Sequence, residues 1–467
     1  MKTKKFLSIV LAGAIAASVF TGCSGGTDNA EKDGKSVISI GAWPMKGNPQ
    51  YETYQKKKAD FEKENPDIKI KEDSWIFDLQ SFYPKAESGM LPTLYNCYYT
   101  EMQQIKKNGY ASDISKVLSK RGYDGKFNDK ILNIISDGNG IYAFPQSAYT
   151  LGICFRTDMF EKAGLMNADG TPKQPKDWYE LAEFAVKIKE ATGMAGFALP
   201  STKNCGGWLF TPIAWSFGVD FMKKDSNGKW KATFNNDKCV EALQFIKDLK
   251  WKYCVLPENN LLDLTQMTEL YATGKAAMIM YSPESVITSI STYDTDINNI
   301  GAMGVPAGPK KNVTLMGGSV RPIKADSTDE QIDGCIRFLE SEGYGFKLTE
   351  KSKKNIEDTI NKQLEDGLAV GCKSLSVWKE NAECEKYRNE IIEQKANVNV
   401  NHFKLYNDSL TDSKISIQPE EPMYAQELYG LLDNCIQQVL TDKNADCKTL
   451  IAKAAKDFQE NYLNNEN

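Results

Sequence analysis

Histidine is almost absent from this sequence of 467 residues, which contains only His402. A single histidine excludes most histidine-based catalysis and most histidine-rich metal sites. The 11 cysteines are scattered, and no two have the CxxC spacing of a zinc or redox site. The phosphate and dinucleotide loops GxxxxGKS/T and GxGxxG are absent, as are the hydrolase motifs HExxH and GxSxG. We therefore expect neither a metal nor an organic cofactor.

Positive charge is not in excess either. Lys and Arg together number 57 against 62 Asp and Glu, which gives a formal net charge of -5 and a pI of about 5.4. This balance provides no broad positive field for a polyanion, and the short basic run at residues 351–354 is typical of a solvated helix face. Nucleic acid is therefore not expected as a partner.

The first 23 residues have the pattern of a bacterial export signal. Three lysines precede an uncharged apolar run over residues 6–20, and two small residues lead to Cys23. The pattern resembles a lipoprotein signal, in which Cys23 becomes the acylated N-terminus, although Phe20 stands where leucine is usual. The alternative is an ordinary secretory signal in which Cys23 has no role. Beyond this segment, no apolar run approaches the ~20 residues of a membrane-spanning helix.

The residues after the signal predict a tether and then a globular body. Residues 24–36 are rich in Gly, Ser and charge, which cannot bury enough surface to order themselves. In the body, Cys154 and Cys335 occupy apolar positions, where a free thiol packs as a small hydrophobe. Free buried thiols are our leading interpretation of the cysteines, with one or two disulfides as the alternative.

The body begins with alternating strand and helix patterns. Residues 37–40 form a short apolar strand pattern, and a helical pattern follows with Tyr54 and Phe61 on one face. The helix is predicted to end at Asn65, because the following proline disfavours helical geometry in the residue before it. Residues 68–71 then alternate with period two. Strand, helix and strand in this order predict a parallel sheet and an α/β fold.

Aromatic residues in turn-like contexts are candidates for ligand contact. Trp43, Tyr98, Tyr99, Trp208 and Tyr281 lie at strand ends or next to glycine. Flat aromatic faces beyond the ends of parallel strands suit sugar rings, while amides, hydroxyls and carboxylates bind the sugar hydroxyls. The competing interpretation is burial in the core, which we favour for five others within apolar segments: Tyr95, Trp178, Trp215, Trp230 and Trp251.

The order of motifs along the chain resembles the family 1 extracellular solute-binding proteins of ATP-driven sugar importers, which include maltose-binding protein. The similar segments are FEKENPDIKIK, ESGMLPTLYN, GNGIYAFPQSAYTLGICFRTDMFEKAGL, KQPKDWYELAEFAVKI, ELYATGKAAMIMYSPES, MGVPAGP and MGGSVRPIKADS. Thr93 replaces the usual aspartate of the second segment, and Phe155 and Arg156 stand where Tyr-Asn is common. The resemblance covers almost the entire body.

This resemblance implies a two-lobed fold of the periplasmic-binding-protein type II, with the ligand in a cleft at the hinge. By the family pattern, residues 37–146 with 317–368 form the N-terminal lobe, and residues 147–316 with 369–467 form the C-terminal lobe. Residues 1–23 would be the signal and anchor cysteine, and 24–36 the tether.

The resemblance also implies ligand-binding residues where the motifs align. Trp43 and Lys46, with Met45 between them, fall on the loop after the first strand, and the segment from Tyr98 and Tyr99 to Thr100 falls on a later loop. Tyr149 follows the first hinge. Trp208, Tyr281, Glu284 and Tyr424 belong to the other lobe, and Glu284 stands where relatives often have tryptophan. Because Gly206 and Gly207 precede Trp208, we expect an exposed turn there.

The implied function is a lipid-anchored, monomeric protein on the outer face of the cell membrane. It would bind an oligosaccharide and deliver it to the permease subunits of an ABC importer, without catalysing a reaction. The alternatives are a surface-anchored carbohydrate-active enzyme, and the same fold binding a peptide or another polar solute.

The predicted lipid anchor is testable by Cys23→Ala. Stable attachment depends on acylation of this thiol, so the variant is expected in the medium or unprocessed. Fractionation of cells, with the parent as control, measures the retained share. Equal retention of the variant in the membrane fraction would refute the anchor.

Overall fold

The structure is a computed structural model that describes residues 34–138, 140–379 and 382–466. The predicted signal, Cys23 and most of the predicted tether lie outside these residues. In the described part, no helix is both long and apolar enough to span a bilayer.

The strands are short and are distributed over several small sheets. They are β1 Ser36–Ile40, β2 Ile68–Glu72, β3 Cys97–Tyr98, β4 Ser136–Asp137, β5 Gly140–Ile141, β6 Phe144–Thr150, β7 Gly152–Arg156, β8 Met222–Lys224, β9 Trp230–Ala232, β10 Met278–Tyr281, β11 Ile300–Met303, β12 Val313–Arg321 and β13 Ser416–Gln418.

Helices cover the sheets and form the C-terminal part of the body. They are α1 Tyr51–Glu64, α2 Leu79–Glu87, α3 Met102–Lys107, α4 Ser115–Lys120, α5 Asp129–Ile135, α6 Thr157–Lys162, α7 Trp178–Thr192, α8 Cys205–Ser216, α9 Asp237–Trp251, α10 Leu264–Ala272, α11 Pro283–Ile290, α12 Asp329–Ser341, α13 Glu350–Glu365, α14 Glu383–Gln394, α15 Lys404–Ser409, α16 Ala425–Thr441 and α17 Cys447–Asn461.

The first β-α-β unit forms as the sequence predicts. β1 and β2 pair in parallel, with Ser36 opposite Ile68 and Ile40 opposite Glu72. Helix α1 ends at Glu64, one residue before the Asn65 that precedes proline. The sheet continues through Leu94, which bridges Ile40 on one side and Ile323 on the other. Its inward-facing isoleucines are at most 2% exposed, and the residues of β2 alternate between buried and exposed, as the period-two pattern of a strand predicts.

Strand β12 connects this first sheet to the rest of the molecule. It pairs antiparallel with β6 over Met316–Arg321 and Phe144–Thr150, antiparallel with β3, and parallel with β13. After β6 the chain continues through Leu151 directly into β7, the central strand of a second sheet in the order β10-β7-β11. The two sheets are therefore linked by short crossings.

The glycines before Trp208 are buried in a helix, so the expectation of an exposed turn there is wrong. Gly206 and Gly207 form the first turn of α8, which lies directly against α16. A Cβ on Gly207 would lie 2.2 Å from the carbonyl oxygen of Tyr429. The carboxylate of Asp433 accepts the backbone N–H groups of Asn204 and Gly207 at 2.7 Å each, which caps the start of α8.

A second buried carboxylate lies at the other end of α8. The indole N–H of Trp215 donates to Oε1 of Glu421 at 2.7 Å, and the two residues are 4% and 9% exposed. Burial raises the pKa of Glu421 to about 7, and the Trp215 hydrogen bond opposes this rise.

The ten described cysteines are free thiols, and seven of them are buried: Cys97, Cys154, Cys239, Cys335, Cys384, Cys435 and Cys447.

The close approach of α8 and α16 predicts the effect of Gly207→Ala. A methyl group would collide with backbone that cannot move aside, so we expect a loss of about 2 kcal/mol or more of unfolding free energy, measured in urea. The control is Gly430→Ala on α16, whose Cβ would lie 3.2 Å from the Asn204 side chain. Alanine is the better helix former, so this control should be neutral or stabilising by up to ~1 kcal/mol. Equal stability of the two variants would contradict the packing argument.

Burial of Glu421 predicts a stability that depends on pH. In the unfolded chain this carboxyl titrates near 4.5, and in the folded protein near 7, so between these values only the folded state keeps the proton. The free energy of unfolding should therefore fall as pH rises through this window. Glu421→Gln should remove on the order of 2 kcal/mol of that fall between about pH 5 and pH 8, measured by denaturant unfolding. Glu365→Gln on the exposed side of α13 is the control. If the free energy of unfolding of Glu421→Gln falls with pH as steeply as that of the parent, the prediction is wrong.

Candidate functional site

A row of hydroxyl groups crosses the sheet where β3, β12 and β6 lie side by side. Ser319 pairs with Tyr98 on one side and with Ser147 on the other, so the three side chains share one face. Tyr98 is 56% exposed, and the hydroxyls of Ser147 and Ser319 are 2.8 Å apart. We call these three residues the hydroxyl row. The row forms a polar floor open to solvent.

Tyr149 extends this floor towards the second sheet. It lies two residues beyond Ser147 on β6 and therefore on the same face. Its partner across the strands is Gly317, where a Cβ would lie 2.3 Å from the Tyr149 hydroxyl oxygen. The phenol thus lies over a position that only glycine leaves open. Burial raises the pKa of Tyr149, and four nearby groups add to the rise: Glu420, Tyr281, Glu284 and Tyr98.

A second group, which we call the opposite wall, consists of Trp208, Tyr281 and Glu284; Tyr281 and Glu284 interact electrostatically with Tyr149. The rings of Trp208 and Tyr281 meet edge to face with centroids 6.1 Å apart. Tyr281 ends β10, and Ser282 caps α11 and donates to Oε2 of Glu284 at 2.8 Å. The other oxygen, Oε1, is buried without a hydrogen-bond partner. Burial raises the pKa of Glu284, and hydrogen bonds from its own backbone N–H and from the hydroxyls of Ser282 and Ser374 partly offset this rise.

Two further carboxylates are connected to this group electrostatically: Glu420 acts on Tyr149, and Glu420 also acts on Glu101. Glu420 accepts a hydrogen bond from the Tyr429 hydroxyl at 3.0 Å, and burial raises its pKa. The indole N–H of Trp208 approaches this carboxylate without meeting the geometry of a hydrogen bond. Glu101, which follows β3, accepts from the Tyr83 hydroxyl at 3.3 Å. Burial raises the pKa of Glu101 to about 7, and the charges of Glu420 and Glu427 raise it further.

The other four predicted residues have different neighbours. Trp43 is 3% exposed and packs edge to face against Tyr54, with centroids 5.2 Å apart. Tyr99 is 2% exposed and its hydroxyl has no partner. Lys46 is on an exposed loop. Tyr424 precedes α16 in left-handed geometry, with its ring 5.8 Å from that of Tyr462.

The structure thus brings five of the nine predicted ligand residues near one another: Tyr98, Tyr149, Trp208, Tyr281 and Glu284. We call the space that they border the cleft. Sequence reasoning missed Ser147, Ser319, Glu101 and Glu420 as members of this group. The two serines become visible only through strand register, because serine in a strand carries no local signal. Glu420 falls in the segment EPMYAQELYG that drew attention to Tyr424, but charge alone did not distinguish it.

The cleft offers aromatic faces, hydroxyl donors and carboxylate acceptors from both sheets. No group of three or more His, Cys, Asp or Glu side chains suited to a metal ion occurs among the residues that the structure describes. Such a surface can hydrogen-bond a polar ligand on several sides while aromatic rings cover its apolar faces.

The chain is similar in sequence and in structure to known ligand-binding proteins. The chain is 23% identical over 310 residues to the maltodextrin-binding protein MdxE of Bacillus subtilis, covering 64% of this chain and 67% of MdxE. It is 24% identical over 301 residues to the sn-glycerol-3-phosphate-binding periplasmic protein UgpB of Escherichia coli, covering 60% and 64%. The crystal structure of the cyclic alpha-maltosyl-1,6-maltose binding protein from Arthrobacter globiformis superimposes with a TM-score of 0.64 at 19% identity, covering 91% of this chain and 98% of that one.

The structural likeness establishes the two-lobed periplasmic-binding fold. The model of the family described as bacterial extracellular solute-binding protein matches residues 47–344, more than half of the chain. The chain therefore belongs to the bacterial extracellular solute-binding protein family.

Proposed function

We propose that this protein is the substrate-binding subunit of an ATP-driven carbohydrate importer. It captures an oligosaccharide between its lobes and delivers it to the permease subunits, while an acylated Cys23 holds it on the outer face of the membrane. The observation that carries the proposal is that Tyr149, on the strand that carries Ser147, interacts electrostatically with Tyr98 of the hydroxyl row and with Tyr281, whose ring meets that of Trp208. The names of MdxE and of the Arthrobacter globiformis protein, both binders of maltose-type glucans, support it.

The chemistry of this cleft suits a carbohydrate. A pyranose ring has apolar C–H patches that rest against an aromatic face, and a rim of hydroxyls that need hydrogen-bond partners. Trp208 and Tyr281 supply the rings, and Tyr98, Ser147 and Ser319 supply hydroxyls that both donate and accept. A ligand long enough to touch the floor and the opposite wall would gain contacts in the closed arrangement that it lacks in an open one. That difference favours closure of the lobes.

The proposed lobes are residues 37–146 with 317–368 and residues 147–316 with 369–467. The strand pair β6–β12 lies at the border of these ranges and would act as the hinge. We further propose that the protein works as a monomer, without a cofactor and without catalysing a reaction. The permease would recognise the closed form.

Two alternative functions can be distinguished from this proposal by a binding experiment. A surface-anchored carbohydrate-active enzyme would bind the same ligands but cleave them. The same fold could bind a peptide or another polar solute, and the similarity to UgpB makes a phosphorylated polyol the specific competitor.

A glycan array followed by calorimetry on the body from residue 34 onwards tests the proposal. We expect binding of at least one oligosaccharide and recovery of that oligosaccharide intact after long incubation. Sustained hydrolysis at catalytic protein levels would establish the enzyme instead. Binding of sn-glycerol 3-phosphate or of peptides, with no response to any glycan, would establish that the fold binds a peptide or another polar solute instead of a carbohydrate.

Trp208→Ala is predicted to weaken binding of the glycan identified in that screen. Loss of a stacking ring should cost ~1 to 3 kcal/mol of binding free energy, or roughly 5- to 150-fold in Kd, by analogy with stacking on other ring ligands. The half-buried ring should contribute less to stability than the ~3 to 5 kcal/mol of a core tryptophan. Trp230→Ala is the matched control, because Trp230 is half-buried on β9 beside Lys224 and outside the cleft. An unchanged affinity for Trp208→Ala would remove this residue from the site.

A further inference from the structure

Arg321 is a half-buried cation that forms no ion pair with the residues that the structure describes. The other arginines that are not exposed each form an ion pair with an aspartate at 3.0 Å or less: Arg121, Arg156 and Arg337. Glu342 acts on Arg321 electrostatically, but its Oε2 is held by Lys57 at 2.6 Å. An unpaired cation that is partly removed from water carries a desolvation cost, which a bound anion offsets.

Arg321 lies in the floor of the cleft, next to the hydroxyl row. The register that pairs Ser319 with Tyr98 places Asn96 opposite Arg321. Asn96 and Arg321 are each two residues away from a member of the hydroxyl row, so their side chains lie on the same face of the sheet as that row. The open hydroxyls of the floor therefore adjoin a half-buried amide and a half-buried guanidinium group.

A chain of hydrogen bonds fixes the plane of this guanidinium group. Nε of Arg321 donates to Oε1 of Gln146 at 2.7 Å, and Nε2 of Gln146 donates to the Tyr344 hydroxyl at 2.7 Å. Nη1 and Nη2 of Arg321 donate to none of the described residues. These two nitrogens form one edge of a planar fork, whose spacing matches the two oxygens of a carboxylate.

Asn96 supplies the complementary requirement for a donor. Its Oδ1 is buried and accepts a hydrogen bond from none of the described residues. Leaving this oxygen unpaired costs free energy that a hydroxyl group of a ligand recovers by donating to it. The second row of the floor thus offers two donors on a cation and, directly opposite, one acceptor.

We propose that Arg321 binds a carboxylate of the ligand, and that the cleft takes an acidic oligosaccharide that contains a uronic acid. This inference rests on the proposed carbohydrate function and specifies its ligand class. The carboxylate of the uronic acid accepts from Nη1 and Nη2, while a hydroxyl of the same sugar donates to Oδ1 of Asn96. A neutral sugar offers the fork no charge, so it leaves the cation uncompensated.

The charges around the cleft are compatible with an acidic ligand. Burial raises the pKa of Glu101, Glu284 and Glu420, which reduces their tendency to carry negative charge. Burial also lowers the pKa of Arg321, although an arginine remains protonated in a protein. The positive charge of the floor is therefore retained, while the negative charge of the carboxylates is weakened.

Calorimetry on the body from residue 34 onwards tests this assignment with paired glycans. The probes are trigalacturonate and trimannuronate, each with its carboxyl-reduced counterpart, together with maltotriose and sn-glycerol 3-phosphate. We expect at least one acid to bind at least about tenfold more tightly than its carboxyl-reduced counterpart, because only the acid brings charged acceptors to Nη1 and Nη2. In Arg321→Gln, this ratio should fall at least about fivefold.

The matched control removes the same charge from an exposed position. Arg388→Gln on α14 should leave the ratio unchanged. Thermal melting verifies folding. If Arg321→Gln is unstable, Asn96→Asp tests the same contact with almost no change in volume. Its carboxylate should pair with Arg321 in place of the ligand and lower the ratio to a similar extent.

The outcomes separate this inference from the carbohydrate function. The inference is overturned if neither acid binds, if a neutral trisaccharide binds the parent as tightly as the acids, or if the folded variants keep the ratio of the parent. Binding of any neutral trisaccharide in those cases leaves the carbohydrate function standing. Binding of sn-glycerol 3-phosphate with no response to any glycan overturns both.

Discussion

The pairing of β6 with β12 is the interaction on which the rest of the structure depends. The chain enters the second sheet directly from β6, and β12 returns from it into the first, so the two halves are connected through this ladder. Its close geometry requires glycine. At Gly318, where φ is +139°, a Cβ would lie 2.2 Å from the carbonyl oxygen of Ser147, and at Gly317 it would strike the Tyr149 ring. A side chain at either position would separate the strands or displace the phenol, so one constraint fixes both the strand pairing and the position of the Tyr149 ring.

The opposite wall is held by a different kind of close contact. Gly207 lets α8 approach the backbone of α16, and Asp433 satisfies two of the backbone N–H groups at the start of α8. Helices that pack this closely have little freedom to shift. Trp208 is therefore carried on a rigid element rather than on a mobile loop. A ring held in place before binding loses less conformational entropy when a ligand arrives, which favours affinity.

Local signals explain which parts of the fold were predictable. The end of α1 before proline and the alternation in β2 depend on neighbours within a few residues, so both were predicted correctly. Gly206 and Gly207 were misinterpreted, because a glycine pair is equally typical of a turn and of a close helix contact. Only Tyr429, far along the chain, decides between them. Ser147 and Ser319 were missed for the same reason, since their proximity is a property of strand register and not of sequence spacing.

Buried carboxylates without a cationic partner place an electrostatic cost on the fold beside the cleft. Burial raises the pKa of Glu101, Glu284 and Glu420, and the groups that oppose this rise are uncharged. Their burial therefore disfavours the charged forms and carries a free-energy cost that ion pairs or apolar residues would avoid. The folded state holds protons at these positions more tightly than the unfolded chain does, so their contribution to the free energy of unfolding falls as pH rises, in the same direction as that of Glu421.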